Sequence, residues 1–223
     1  MKRKVMISWS SGKDSALVLE RLNADPDYQV VGLFTTYVAD EVPFQVTPID
    51  VVEMQADLIG LPLVKIVLPE VFPSNPVYQQ RVVEGLRRSN LDFSLVAFGD
   101  MFHNGIAQYR RSYIEPAGWQ CLFPLMGEDS MALAEEIIQR GIEAVVVTCD
   151  GESRLAENCG QQYNLPWVAA LPAGVDPCGE NGEFHTLVLS APSFSGQLAL
   201  SNCLLERGPR FSHLRYDATV IAK

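Results

Sequence analysis

Residues 8–15 read Ser8-Trp9-Ser10-Ser11-Gly12-Lys13-Asp14-Ser15, a small polar stretch between the apolar run Val5-Met6-Ile7 and the run Ala16-Leu17-Val18-Leu19 with Leu22. The first run reads as a strand and the second as the buried side of a helix, so the backbone must reverse between Ser8 and Asp14. Such a turn leaves the first helical N–H groups without internal partners and aims them at the loop, with the positive end of the helix dipole behind them. An anion, and a phosphate above all, is drawn to that place. Ser10, Ser11 and Ser15 add hydroxyl donors, Gly12 lets the backbone close on a ligand, and Lys13 adds a mobile positive charge.

The same strand-then-helix order continues outward. Apolar, β-branched runs recur at residues 5–8, 29–36, 63–67, 95–99 and 144–148, with helical patterns at 14–23, 49–59, 77–89 and 105–115 between most of them. This alternation predicts a parallel sheet covered by helices, hence an α/β, Rossmann-like fold. A further helix is expected from Met131 to Arg140, capped by Asp129 or Ser130 and stopped at Gly141. After Thr148 short segments punctuated by Gly and Pro lead to strands at 186–189, 198–205 and 216–221. They predict a smaller C-terminal α/β unit, and the expected division is 1–122 and 123–223.

Composition narrows the function. With 27 acidic against 17 basic residues the net charge is −10, and the only basic pairs beyond the N-terminus are Arg87-Arg88 and Arg110-Arg111. A direct nucleic-acid partner is therefore disfavoured. No apolar run approaches the roughly 18 residues of a membrane span or the core of a signal peptide, so a cytoplasmic protein is expected. Five cysteines, odd in number and without a Cys-x-x-Cys pair, read as reduced thiols rather than as a disulfide frame or a metal site.

Two further places carry chemistry. In open α/β sheets ligands sit beyond the carboxyl ends of the strands, and there the fourth strand leads into Gly99-Asp100. Asp14 and Asp100 thus emerge at one edge, as candidate oxygen ligands for a magnesium ion riding on phosphates. Arg110 and Arg111 follow, either offering the planar fork that phosphate prefers. The second place is Cys178-Gly179-Glu180-Asn181-Gly182-Glu183-Phe184-His185-Thr186, two carboxylates and an imidazole just before a strand. Glu180, Glu183 and His185 could bind a cation or an amine, or exchange protons. Read alone, the same string also suits a polar hairpin turn.

The loop is not a Walker loop, because Ile7 stands where the first glycine belongs and Asp14 where Ser or Thr should follow the lysine. It resembles the Ser-Gly-Gly-Lys-Asp-Ser loop of ATP pyrophosphatases, which release AMP and pyrophosphate. Ser11 replaces the second residue of that motif, keeping a donor but lacking glycine's freedom at positive φ. Together with Gly99-Asp100, Arg111 with Glu115, Pro124-Leu125 and the Gly179 to Thr186 string, the chain resembles the diphthine ammonia ligase family. It departs from that family at Ser11, at Met126 and at Tyr113. The resemblance implies a sheet of the adenine nucleotide alpha hydrolase type, ATP and magnesium as its nucleotide system, and ammonia as second substrate. It implies as acceptor a carboxylate such as that of diphthine on elongation factor 2. By the same resemblance Ser10, Ser11, Gly12, Lys13, Asp14, Ser15, Gly99, Asp100 and Arg111 bind the nucleotide, with Lys13, Glu180, Glu183 and His185 carrying the chemistry. Two other readings stay open: a pyrophosphate-loop enzyme of another acceptor, by small-molecule amidation or sulfur transfer, and an ATP-sensing module without turnover.

Overall fold

A computed structural model describes residues 2–222. In chain order the elements are β1 (Arg3–Ser8), α1 (Lys13–Ala24), β2 (Tyr28–Tyr37), β3 (Glu41–Val42), β4 (Thr47–Pro48), α2 (Ile49–Ile59), β5 (Leu63–Val67) and α3 (Asn75–Arg88). Then come β6 (Leu95–Ala97), α4 (Ile106–Ile114), β7 (Gln120–Leu122), α5 (Ser130–Gln139), β8 (Glu143–Asp150) and α6 (Leu165–Ala169). Strands β9 (Phe184–Ser190), β10 (Gly196–Arg207) and β11 (Phe211–Ala222) complete the fold.

Five strands form a sheet in the order β5-β2-β1-β6-β7, every neighbouring pair parallel. The expected α/β architecture is present. Strand order reverses beside β1, so the carboxyl ends of β1 and β6 flank the crevice where ligands of such sheets bind. A second sheet, β10-β11-β8-β9, is antiparallel throughout. This corrects the reading of residues 144–148 as a parallel strand. The fifth parallel place belongs to β7, three residues long and too short to show as an apolar run, while β8 pairs with strands that follow it in sequence.

Helix α1 lies between the two sheets, with Ala16, Leu17, Val18, Leu19 and Leu22 all buried. A helix apolar on nearly every side needs such a double cover. One hydrophobic core accordingly joins Val5, Ile7 and Leu17 to Val146, Phe184 and Leu187, and a second, with Met6, Phe34, Leu86 and Phe98, fills the other face of the parallel sheet. Helix α5 starts on the expected cap: the Asp129 side chain accepts the Ala132 N–H at 2.9 Å. Among the described residues no helix is long and apolar enough to cross a membrane.

Candidate active site

The loop after β1 is held in place from four directions. Trp9 continues the strand by donating its N–H to Phe34 O, and its indole donates to Gln55 Oε1 at 2.9 Å. Gln55, fully buried on α2, donates in turn to Ser11 O and to Val188 O of β9, and Val188 N–H closes on Ser11 O at 3.0 Å. Ser11 takes φ 70°, the left-handed conformation that its glycine counterpart would adopt freely, and its hydroxyl donates to Thr47 Oγ1 at 3.1 Å. Space is tight next: a Cβ at Gly12 would lie 2.8 Å from Gln45 Nε2 and 3.2 Å from Thr186 O, so both would have to shift to admit one. Ser10 and Ser15 meet at 3.3 Å between hydroxyls, and Ser15 also donates to Gly12 O.

Lys13 is held by protein partners here and does not stand free in the loop. Its side chain is buried beneath the Cys178 to Phe184 turn, with Nζ donating to Asp14 Oδ2 at 3.0 Å and to Cys178 O at 2.5 Å. The head group lies 5.5 Å from the Tyr163 ring centroid and 5.4 Å from that of Phe184. Burial alone would push its pKa down, but Asp14 beside it, with Cys178 and Glu180, leaves it raised and the lysine charged. Asp14 is the converse case. Burial pushes its carboxyl up against the opposing pull of Lys13, and Oδ1 is buried without a hydrogen-bond partner.

At the neighbouring strand end, a Cβ on Gly99 would touch Asp14 at 3.4 Å, which sets Asp100 beside the loop. Asp100 Oδ2 accepts from Arg110 Nε at 3.2 Å, and Arg110 is fixed further by the hydroxyls of Tyr78 and Tyr113 and the Phe98 ring. The structure separates the two arginines, because successive residues on α4 point in different directions. Arg110 faces the cleft. Arg111 turns away to pair with Glu115 at 2.6 Å and to cover Phe123, about half exposed.

The second polar cluster divides as well. Both oxygens of Glu183 face its own turn, accepting from Asp176 N, Asn181 N and Asn181 Nδ2 at 2.9–3.0 Å. Glu180 looks toward the loop instead, with a pKa pushed up to about 7 by burial and by Asp14, against the opposing effects of Lys13 and the Met101 N–H. His185 is held neutral, its pKa pulled down to about 4 by burial, Lys13 and His213. Thr186 accepts the Lys13 backbone N–H at 3.2 Å, which supplies the helix start with the partner that Gly12 cannot offer.

Between loop and turn lies a cavity of about 160 Å3 lined by Lys13, Asp14, Gln45, Glu180, His185 and Thr186. It adjoins an outer cleft of about 320 Å3 lined by Ser8, Ser10, Thr35, Phe44, Tyr78 and Arg110 among others. Sequence reading missed Gln45, Tyr163 and Asp176. Only Asp176 had a local signal, a carboxylate two residues before Cys178, whose N–H it accepts at 2.9 Å.

Among proteins of curated function none matches the chain. Several solved structures are similar in part. A predicted subunit of tRNA methyltransferase from Methanocaldococcus jannaschii is 20% identical, with 63% of this chain and 77% of that chain covered at a TM-score of 0.39. The U34-tRNA thiolase NcsA from Methanococcus maripaludis, with its 4Fe-4S cluster, is 15% identical, with 62% of this chain and 58% of that chain covered at a TM-score of 0.41. Residues 129–208 match the family described as diphthamide synthase C-terminal domain. The Gly179 to Thr186 string falls inside that segment.

Proposed function

We propose that the protein is an ATP-dependent ligase that makes an amide from a carboxylate and ammonia. The acceptor carboxylate attacks the α-phosphorus of ATP, pyrophosphate leaves, and an acyl adenylate forms. Ammonia then attacks the carbonyl carbon, AMP leaves with the bonding electron pair, and one proton departs from nitrogen. The observation that carries this reading is the meeting of two separately encoded parts: the serine-rich loop beside the strand-order reversal, and Glu180 and His185 from the segment matched to the diphthamide synthase domain.

In this reading the loop hydroxyls and the start of α1 bind phosphate, and Arg110 replaces Arg111 as the guanidinium nearest the leaving pyrophosphate. Magnesium fits Asp14, whose Oδ1 is a buried oxygen lacking any partner, with Asp100 as a neighbouring carboxylate. When bound, it would neutralise phosphate charge. Glu180, its carboxyl raised by burial and by Asp14, accepts the proton that the attacking nitrogen loses, and neutral His185 lines the acceptor side without adding charge. Glu183 shapes the turn that presents them.

The test is product analysis with ATP, magnesium, ammonium and elongation factor 2 carrying diphthine. Expected are AMP and pyrophosphate in equal amounts, with an amide in the mass spectrum of the factor. Tight ATP binding without AMP from this or any offered carboxylate would favour the sensing module instead.

A further inference from the structure

The head group of Lys13 sits in a place built for an ammonium ion. Two oxygens accept its protons, one from the Asp14 carboxylate at 3.0 Å and one from the Cys178 carbonyl at 2.5 Å, and the faces of Tyr163 and Phe184 complete the surround at 5.5 and 5.4 Å. Carboxylate, carbonyl and aromatic faces are the partners that a small, hydrogen-bond-donating cation prefers once water is removed. Sodium has no protons to donate. The lysine stem is a flexible four-carbon chain rooted in the first turn of α1, inside the phosphate loop.

We infer that Lys13 stands in for free ammonium: on arrival of a polyphosphate it withdraws toward the phosphates, and the vacated place between Asp14, Cys178, Tyr163 and Phe184 receives the ammonium ion. The inference rests on the ligase reading and locates its second substrate. Withdrawal by itself would leave the Asp14 carboxylate and a carbonyl oxygen buried without a cation, which is costly. An ammonium ion restores both contacts, so nucleotide and ammonium favour each other's binding. Before ATP arrives the lysine closes the place to ammonium. The division of labour at Asp14 follows: Oδ2 serves the cation site, and Oδ1, without a partner, remains for magnesium. The vacated place also borders the cavity that Glu180 lines.

Two measurements decide it. Lys13→Met keeps the stem as far as the Cε position and empties only the head group's place. Its melting temperature should rise in ammonium chloride relative to sodium chloride at equal ionic strength, while the native protein without nucleotide should melt alike in both. Lys13→Ala, with a larger hole, should respond to methylammonium as well. Calorimetric titration of the native protein with ATP and magnesium should show an affinity higher by about five-fold or more in ammonium than in sodium, the lower end of ordinary coupling between sites. Variants that melt alike in the two salts, or equal ATP affinities, would overturn the exchange and leave the ligase standing. Absence of ATP binding in either salt would overturn the ligase, and the exchange with it.

Discussion

The hydroxyl of Thr186 accepts the backbone N–H of Lys13 at 3.2 Å, across 173 positions of sequence. Strand β9 of the antiparallel sheet thereby caps the helix that the Ser10 to Gly12 loop opens, a helix whose own N-cap residue, Gly12, has no side chain to offer. Thr186→Val should cost about 1 to 2 kcal/mol, since a buried helix-start N–H loses its acceptor at almost constant volume. Thr186→Ser should recover most of that. Urea unfolding midpoints for the three proteins check it, and an unperturbed valine variant would mean that the cap contributes nothing.

Ser11 reverses the usual order of alanine and glycine. At φ 70° an alanine keeps the strain and loses the bond to Thr47, whereas a glycine loses the bond and the strain together. Ser11→Gly should therefore be more stable than Ser11→Ala by about 1 kcal/mol, opposite to the preference in ordinary backbone. Thermal or denaturant unfolding of the pair gives the sign directly.

The adjacent arginines should behave unlike each other. Arg110→Ala leaves Asp100 and two tyrosine hydroxyls without their shared partner in a mostly buried setting, at a cost of about 3 kcal/mol. Arg111→Ala removes an exposed pair with Glu115 and should change stability by less than about 1 kcal/mol. ATP affinity should fall in the first variant and hold in the second, as calorimetry would register.

Glu180 and His185 impose opposite pH trends on stability. Glu180 rises on folding from about 4.5 to about 7, so its contribution is complete below pH 4.5 and is lost as the pH climbs through 7. His185 falls from 6.5 to about 4, so its contribution is present above pH 6.5 and is lost as the pH drops through 4. The two nearly offset one another across the acidic range. Glu180→Gln should therefore gain stability over the native protein as pH rises from about 5 to about 8, by at most about 3 kcal/mol, less what solvent screening removes. A stability difference that does not change with pH would take Glu180 out of its buried surroundings.

Glu183→Gln tests the turn. An amide supplies one acceptor oxygen and sets an NH2 against N–H donors where the carboxylate accepts three bonds, so stability should drop by about 1 to 3 kcal/mol. The loss should be visible in the melting temperature of the free protein. Large loss of turnover at native stability would instead return Glu183 to the chemistry.

The order strand, serine-rich loop, helix is a local pattern, and it determined by itself that the Ser10 to Ser15 loop and Asp100 would come to the same edge of the sheet. In a parallel sheet every strand ends on the same side, so residues just after β1 and β6 must converge whatever the rest of the chain does. The Gly179 to Thr186 string was equally legible, because turn glycines and the strand after them are written in consecutive residues. Other properties came only with the tertiary structure: the burial of Lys13 under Cys178, the pairing of Arg110 with Asp100 while Arg111 faces Glu115, and the antiparallel pairing of β8. Each depends on which surfaces pack together across long stretches of chain, 165 positions in the case of Lys13 and Cys178. Helix α1 shows the physical reason most plainly. Its run Ala16-Leu17-Val18-Leu19 states that it must be covered on both sides, but only packing decides that the second cover is the sheet carrying Phe184 and Thr186, and so brings the two polar clusters into one site.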